Sequence, residues 1–235
     1  MRLAHWTLVA FAAQTIGCLP FGLGGEVDGN ELSFVDVTYV ELRGTDVATS
    51  TPFHDIEIWL MPMEDSCETF GPMIAALAEL RDELTLGLSP ETYCDRWETI
   101  YADHTGLEGF WVGHARLNAL PRPDNVSPAT TYDFMEEDAE GTLDTPSFDA
   151  DLWWYPAPTF EACATEFSGD DFYGPTPFSA MGGTVTVRPY KEDESLSARF
   201  DTEFESDEGD PIRGKAAVEY CPAAIDWPTS FGRGL

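Results

Sequence analysis

This sequence predicts a mainly β domain with a helical insertion: an antiparallel β-sandwich or open barrel, with two short helices packed on it at about residues 72–86 and 90–103. Three observations carry that expectation. The C-terminal part alternates apolar and polar residues over successive short runs, the period of a half-buried strand. In the middle of the chain the apolar period lengthens to that of a helix, twice in succession. Finally, 43% of residues are apolar and 13% aromatic, a core-building content that disordered chains lack.

The elements follow in order. Glu31 to Arg43 holds Val35, Val37, Thr38, Tyr39 and Val40 and reads as a strand. Gly44-Thr45-Asp46 is a turn. His54 to Leu60 alternates, with Ile56, Ile58 and Leu60 on one face and Asp55, Glu57 and Trp59 on the other. Gly71-Pro72 then opens a helix, with proline at the first helical position, where its missing N–H costs nothing. Met73, Ile74, Leu77, Leu80 and Leu84 form its apolar stripe, and Gly87 caps its C-terminus. Ser89 is the N-cap of a second helix with Cys94, Trp97 and Tyr101 on one stripe. Strands return at Phe110 to Leu120, at a short run near Thr131–Phe134 and at Phe148 to Tyr155. The rest of residues 121–147 is rich in Pro, Asp and Thr and reads as a long loop.

Gly183 to Pro189, Leu196 to Phe204 and Ile212 to Tyr220 form an antiparallel meander with one solvated face. Leu196, Ala198, Phe200, Thr202 and Phe204 point inward from the second run, and Ile212, Gly214, Ala216, Val218 and Tyr220 from the third. These last strands resemble the end of small β-sandwich or β-barrel bacterial lipoproteins, which often finish in a strand followed by a cysteine. Those families mostly have no assigned activity, so the resemblance implies a fold class and not a reaction.

The N-terminus has the order of a secretory leader: Arg2, a mostly apolar run from Leu3 to Ala13, then small residues. That run is far shorter than the roughly 20 residues a spanning helix needs. Cleavage after Ala12 is one reading. The other is that Thr15-Ile16-Gly17-Cys18 resembles the lipobox of bacterial lipoproteins, in which a cysteine after a small residue is acylated and becomes the new N-terminus. Gly17 and Cys18 fit, Ile16 is acceptable, and Thr15 stands where leucine is usual. The resemblance implies a signal peptide at 1–17, lipidation of Cys18 and retention at the cell envelope. Leu19 in place of aspartate implies the outer membrane or cell surface; the alternative is a soluble periplasmic or secreted protein. Residues 18–30 then read as a Gly-rich tether, 31–225 as one acidic domain and 226–235 as a tail.

Five cysteines are present, Cys18, Cys67, Cys94, Cys163 and Cys221. An odd count is awkward in an exported chain, whereas a lipidated Cys18 leaves four for two disulfides. Three connectivities are open. Cys67 with Cys221, leaving Cys94 with Cys163, is preferred because Cys67 and Cys221 both follow a strand and could close two ends of one sheet. The wide spacing argues against zinc-ribbon and thioredoxin-type motifs.

The formal net charge is −31, and leader removal takes away a further cation, Arg2. Nucleic acid is therefore disfavoured as a partner, since phosphate binding needs clustered cations. Electrostatic docking on anionic lipid is disfavoured too, so the membrane is reached through the lipid anchor only. Lysine occurs only at 191 and 215. Acid excess with scarce lysine resembles proteins of salt-adapted organisms and concerns solvation.

No nucleophile elbow, zinc-protease helix, P-loop or dinucleotide fingerprint appears, so no catalytic residue, metal site or cofactor is assigned. His54-Asp55-Ile56-Glu57 suggests a metal patch on paper, but odd spacing sends His54 and Glu57 to opposite faces of a strand. With 43 acids in the chain, neighbours such as Asp149 and Asp151 read as solvated charge. Ser206-Asp207-Glu208-Gly209-Asp210 is the best candidate for Ca2+. Trp153-Trp154-Tyr155 puts Trp153 and Tyr155 on one face and Trp154 on the other, either with one face exposed as a binding patch for a glycan or protein or, the favoured arrangement, with both faces covered as in a sandwich with a packed helix. The expectation is a non-catalytic binding or structural module, with an extracytoplasmic glycan hydrolase and a calcium-dependent adhesion module as alternatives.

Overall fold

The run from His54 to Met61 is buried along its whole length, so its strand must be covered on both faces. The structure, a computed structural model, describes residues 22–27, 29–45, 52–105, 109–119, 126–135, 146–156, 178–191, 194–205 and 209–227. In chain order its elements are β1 (Leu23–Val27), β2 (Asn30–Phe34), β3 (Asp36–Thr45), β4 (Pro52–Met61), α1 (Ser66–Thr85), α2 (Pro90–Thr105), β5 (Gly109–Ala119), β6 (Val126–Ser127), β7 (Thr130–Phe134), β8 (Ser147–Pro156), β9 (Phe178–Val187), β10 (Tyr190–Lys191), β11 (Leu196–Phe204), β12 (Ile212–Tyr220) and a 3-10 helix (Pro222–Asp226).

The main sheet returns on itself through β3, β4, β5, β8, β9, β11 and β12. Most neighbours are long antiparallel pairs, but two seams are short. At one, β12 meets β3 in parallel through Glu219–Thr38 and Tyr220–Tyr39. At the other, β8 meets β9 through Asp151–Ser179 and Leu152–Phe178. Beyond each seam the strands diverge and a further strand pairs there. The β1–β2 hairpin extends the sheet from β12, and β7 pairs with both β8 and β9. The result is a barrel that only just closes. A separate ribbon pairs β10 with β6.

Strand alternation fills the ring. Tyr39, Ile56, Ile58, Leu117, Phe148, Leu152, Val185, Phe200 and Val218 are all buried in one apolar cluster. The space left near Leu60, Phe200 and Ile212 is a cavity of about 10 Å³, room for no more than about one water. The Tyr39 hydroxyl crosses the interior and donates to the Glu194 carbonyl. The meander β9–β11–β12 has the expected facing: Leu196, Ala198, Phe200, Thr202, Ile212, Ala216 and Val218 are buried, and Phe204, Gly214 and Tyr220 half-buried.

A second core lies outside the ring. There Val40, Trp59, Met61, Phe110, Val112 and Trp153 on the outer face meet Phe70, Met73 and Leu77 of α1, Tyr101 of α2, and Ala224 and Trp227 at the C-terminal end. Trp227 packs edge-on against Trp59 and Phe70 at 5.6 and 5.3 Å between ring centroids. The Cys67–Cys221 disulfide, with Cα atoms 5.7 Å apart, joins the first turn of α1 to the end of β12. Cys94 is also disulfide-bonded; the Cys163 end of the expected second bridge lies outside the described residues.

Three boundaries differ from expectation, each for a physical reason. The glycines of the expected tether are not spacers, because Leu23–Val27 is a strand. A Cβ at Gly24 would lie 2.4 Å from the Leu32 carbonyl oxygen, so only glycine permits this hairpin. Helix α1 begins at Ser66, not Pro72, since its N-terminus is capped from another element: the Ser66 N–H donates to Asp36 Oδ2 at 2.7 Å. At its other end the expected glycine cap is present, with Leu88 N–H donating to Glu83 O and Gly87 N–H to Leu84 O around a positive φ at Gly87. The domain also runs past 225, because Trp227 is 1% exposed and belongs to the core. Helix α2 begins as expected, the Ser89 hydroxyl accepting from the Thr92 N–H at 3.2 Å.

Candidate functional site

Buried charge is more informative than exposed charge, because it must be compensated. Asp55 and Glu57 are each 4% exposed. Both point outward from β4, on the same face as Trp59. Pairing brings Glu57 opposite Arg116 and Trp59 opposite His114 on β5. Arg116 in turn stands opposite Asp149, and His114 opposite Asp151, on β8. Three neighbouring strands thus each carry two charged or titratable residues at alternate positions, forming a band of four carboxylates, one guanidinium and one imidazole.

The band is bonded internally only in part, since Glu57 Oε2 and His114 Nε2 are buried without a hydrogen-bond partner among the described residues. Arg116 donates from Nε at 3.1 Å and from Nη2 at 2.5 Å to Asp55 Oδ2. His114 Nε2 lies 3.6 Å from Glu57 Oε2, too far for a hydrogen bond. Its ring packs on Trp59 at 4.3 Å and on Trp153 at 5.8 Å. The Ser179 hydroxyl donates to Asp151 Oδ1 at 2.8 Å. Partial burial lowers the Arg116 pKa, but the Asp55 carboxylate outweighs it and the guanidinium ends above its ordinary value. Asp149 is exposed as a residue, but the protein crowding its carboxyl still pushes it above its ordinary value, against the pull of His114 and Arg116 and with help from Asp151.

This shift has a testable consequence. A carboxyl that holds its proton more tightly when folded loses stability as pH rises through its titration range. Because Asp149 is exposed, solvent screens most of this effect, so Asp149→Asn is expected to melt only slightly higher than the parent at pH 7, with the gap closing as pH falls below about 4, where the parent carboxyl is protonated in both states. A gap independent of pH in thermal melts would contradict this.

No known protein family, curated protein or solved structure matches this chain.

His54 and Glu57 do part to opposite faces. His54 is 3% exposed inside the ring's far end, with Nε2 3.0 Å from Glu41 Oε2. Burial pushes the Glu41 carboxyl up, but hydrogen bonds from His54 and Arg43 outweigh it and leave it below the ordinary value. Among the described residues no group of three or more His, Cys, Asp or Glu side chains is placed to hold a metal ion. Of the candidate calcium loop, residues 206–208 lie outside the described residues, and the Asp210 carbonyl accepts from the Glu26 N–H at 3.1 Å. Cys18 also lies outside them, as does the Tyr155 side chain.

Trp153 does not form an exposed patch. It is 5% exposed and stacks beneath the helical layer on Trp59, with centroids 6.0 Å apart. The exposed member is its neighbour Trp154, 41% exposed on the opposite face. Trp154 contacts Trp111 across the strand pair at 5.5 Å, and Trp111 contacts Phe178 at 5.5 Å. These rings form an aromatic rim at the end of the barrel where β5 begins and β8 ends. Sequence reasoning missed both the rim and the band. The signal for the band was available: His114/Arg116 and Asp149/Asp151 each repeat the two-residue spacing of Asp55/Glu57.

Proposed function

We propose that this chain is an exported cell-envelope protein, lipid-anchored through Cys18, whose barrel serves as a non-catalytic binding or structural module. The observation that carries this reading is the Cys67–Cys221 disulfide, with Cys221 fully buried at the closing strand. A structural bridge of this kind belongs to an oxidising compartment. It supports the leader as an export signal. Because side chains fill the ring, a ligand would engage the outside, and the Trp154 rim offers flat aromatic surface of the kind that stacks on sugars or anchors a protein interface. Fractionation of cells producing the full chain tests the anchor. The parent is expected with the membranes and Cys18→Ser in the soluble extracytoplasmic fraction; the same distribution for both contradicts the reading.

A glycan hydrolase is the second reading, supported by Asp149, whose raised carboxyl stands beside Asp151 and His114 as a proton donor would. It requires the purified protein to cleave envelope glycans and Asp149→Asn to abolish that cleavage.

A further inference from the structure

The chain has 12 lysines and arginines against 43 acids, yet four of those cations gather on one outer wall. Arg199 of β11 stands opposite Lys215 of β12, and Asp201 stands opposite Arg213. Arg188, just past β9, adjoins them, its N–H donating to the Ser197 carbonyl at 2.9 Å. Arg213 is neutralised by Asp201, with Nε 2.7 Å from Oδ1. Arg188, Arg199 and Lys215 are exposed and make no ion pair among the described residues. By contrast Arg43, Arg96 and Arg116 each contact a carboxylate. Among the described residues, three adjacent cations without a carboxylate partner stand apart from these paired arginines. With Thr186 and Ser197 they line a shallow concavity of about 180 Å³. Among the described residues, the other acids near this wall include Glu203 and Glu219, at opposite ends of the β11–β12 pair, and Asp210, close enough to act on Arg213.

The same wall is where the chain enters the domain. β1 runs antiparallel to β12 with Leu23 opposite Gly214, so Gly22 comes beside Lys215. The Gly22 carbonyl is close enough that a Cβ at Gly214 would fall 2.0 Å from its oxygen. Cys18 is four residues upstream of Gly22, and four extended residues reach at most about 14 Å. A lipid on Cys18 would therefore hold this wall, rather than any other, near the bilayer.

We propose that the Arg188–Arg199–Lys215 wall lies against the anionic headgroups of the membrane that holds the Cys18 lipid, and so sets the orientation of the barrel. This rests on the lipidation proposed above. The net charge of −31 would exclude such docking only if it were spread evenly. At physiological ionic strength charges beyond about 8 Å are largely screened, so the near wall meets the headgroups while the acidic walls are turned away. Each cation near an anionic surface strengthens association by about fivefold.

Lys191 and Lys215 are the chain's only lysines, which supplies an internal reference. Lys191 is on β10, with its side chain 66% exposed. The full lipidated chain is reconstituted on phosphatidylcholine vesicles, or on vesicles with about one-third phosphatidylglycerol, and labelled with a water-soluble amine reagent. Labelling of Lys215 relative to Lys191 is expected to fall about fivefold on the anionic vesicles only. It should recover in about 1 M salt and in the Arg188→Glu, Arg199→Glu double variant. Equal labelling on both vesicle types overturns the proposal while leaving the anchor intact. Protection of Lys215 on neutral vesicles by added dextran sulfate, without protection by phosphatidylglycerol, overturns it in favour of a soluble polyanion. Failure of the chain to remain on neutral vesicles overturns the anchor itself, and the docking with it.

Discussion

Replacing Cys67 and Cys221 together by serine is expected to lower Tm by about 10 °C, corresponding to roughly 3–5 kcal/mol in a domain of this size. The bridge closes a loop with a sequence separation of 154 residues, near the long end of the range in which cross-linking restricts the unfolded chain most. Its position adds to the effect. One end holds the first turn of α1, which the Asp36 carboxylate also ties through the Ser66 N–H. The other end follows the two-residue parallel seam of β12 and β3, where the Cys221 N–H donates to the Tyr39 carbonyl at 2.8 Å. Without the bridge, the seam and the Trp227 layer depend on packing and the few hydrogen bonds of the seam. Thermal melts of the double variant, and of the parent with and without reductant, check this; an unchanged Tm in both would contradict it.

Gly183→Ala is expected to cost about 3 kcal/mol or more, or to prevent folding. Gly183 has φ +108°, and a Cβ there would lie 2.0 Å from the Asp201 carbonyl oxygen. The position adjoins the irregularity in the β9–β11 pairing, so the strands cannot separate to make room without giving up that register. Gly182→Ala is the control. Its Cβ would meet nothing nearer than Glu203 Oε2 at 3.6 Å, and its melt should stay within about 1 kcal/mol of the parent. Equal effects at the two positions would show that strand propensity, not the Gly183 geometry, sets the cost.

Much of this fold is legible because it is local. The alternation in β4, β11 and β12 sets their inward faces, the Ser89 and Gly87 caps mark helix ends, and the placement of Cys67 and Cys221 after strands indicates their bridge. What is not legible depends on partners distant in sequence. Asp36 caps α1 from thirty residues away, so Pro72 looks like the natural start. Gly24 and Gly25 look like a tether until the hairpin partner of β1 is known. The charged band exists because β5 and β8 pair directly across the intervening chain. The choice between Trp153 and Trp154 turns on which face the helices cover, and no property of that tripeptide decides it.

The anchor proposed above sets Cys18 apart from the Cys67–Cys221 bridge of the fold. Mass spectrometry of the N-terminal peptide of the native protein tests it most directly. Expected is a chain beginning at Cys18, with its thiol and amino terminus carrying acyl groups; a chain beginning at Ala13 with an unmodified Cys18 contradicts it.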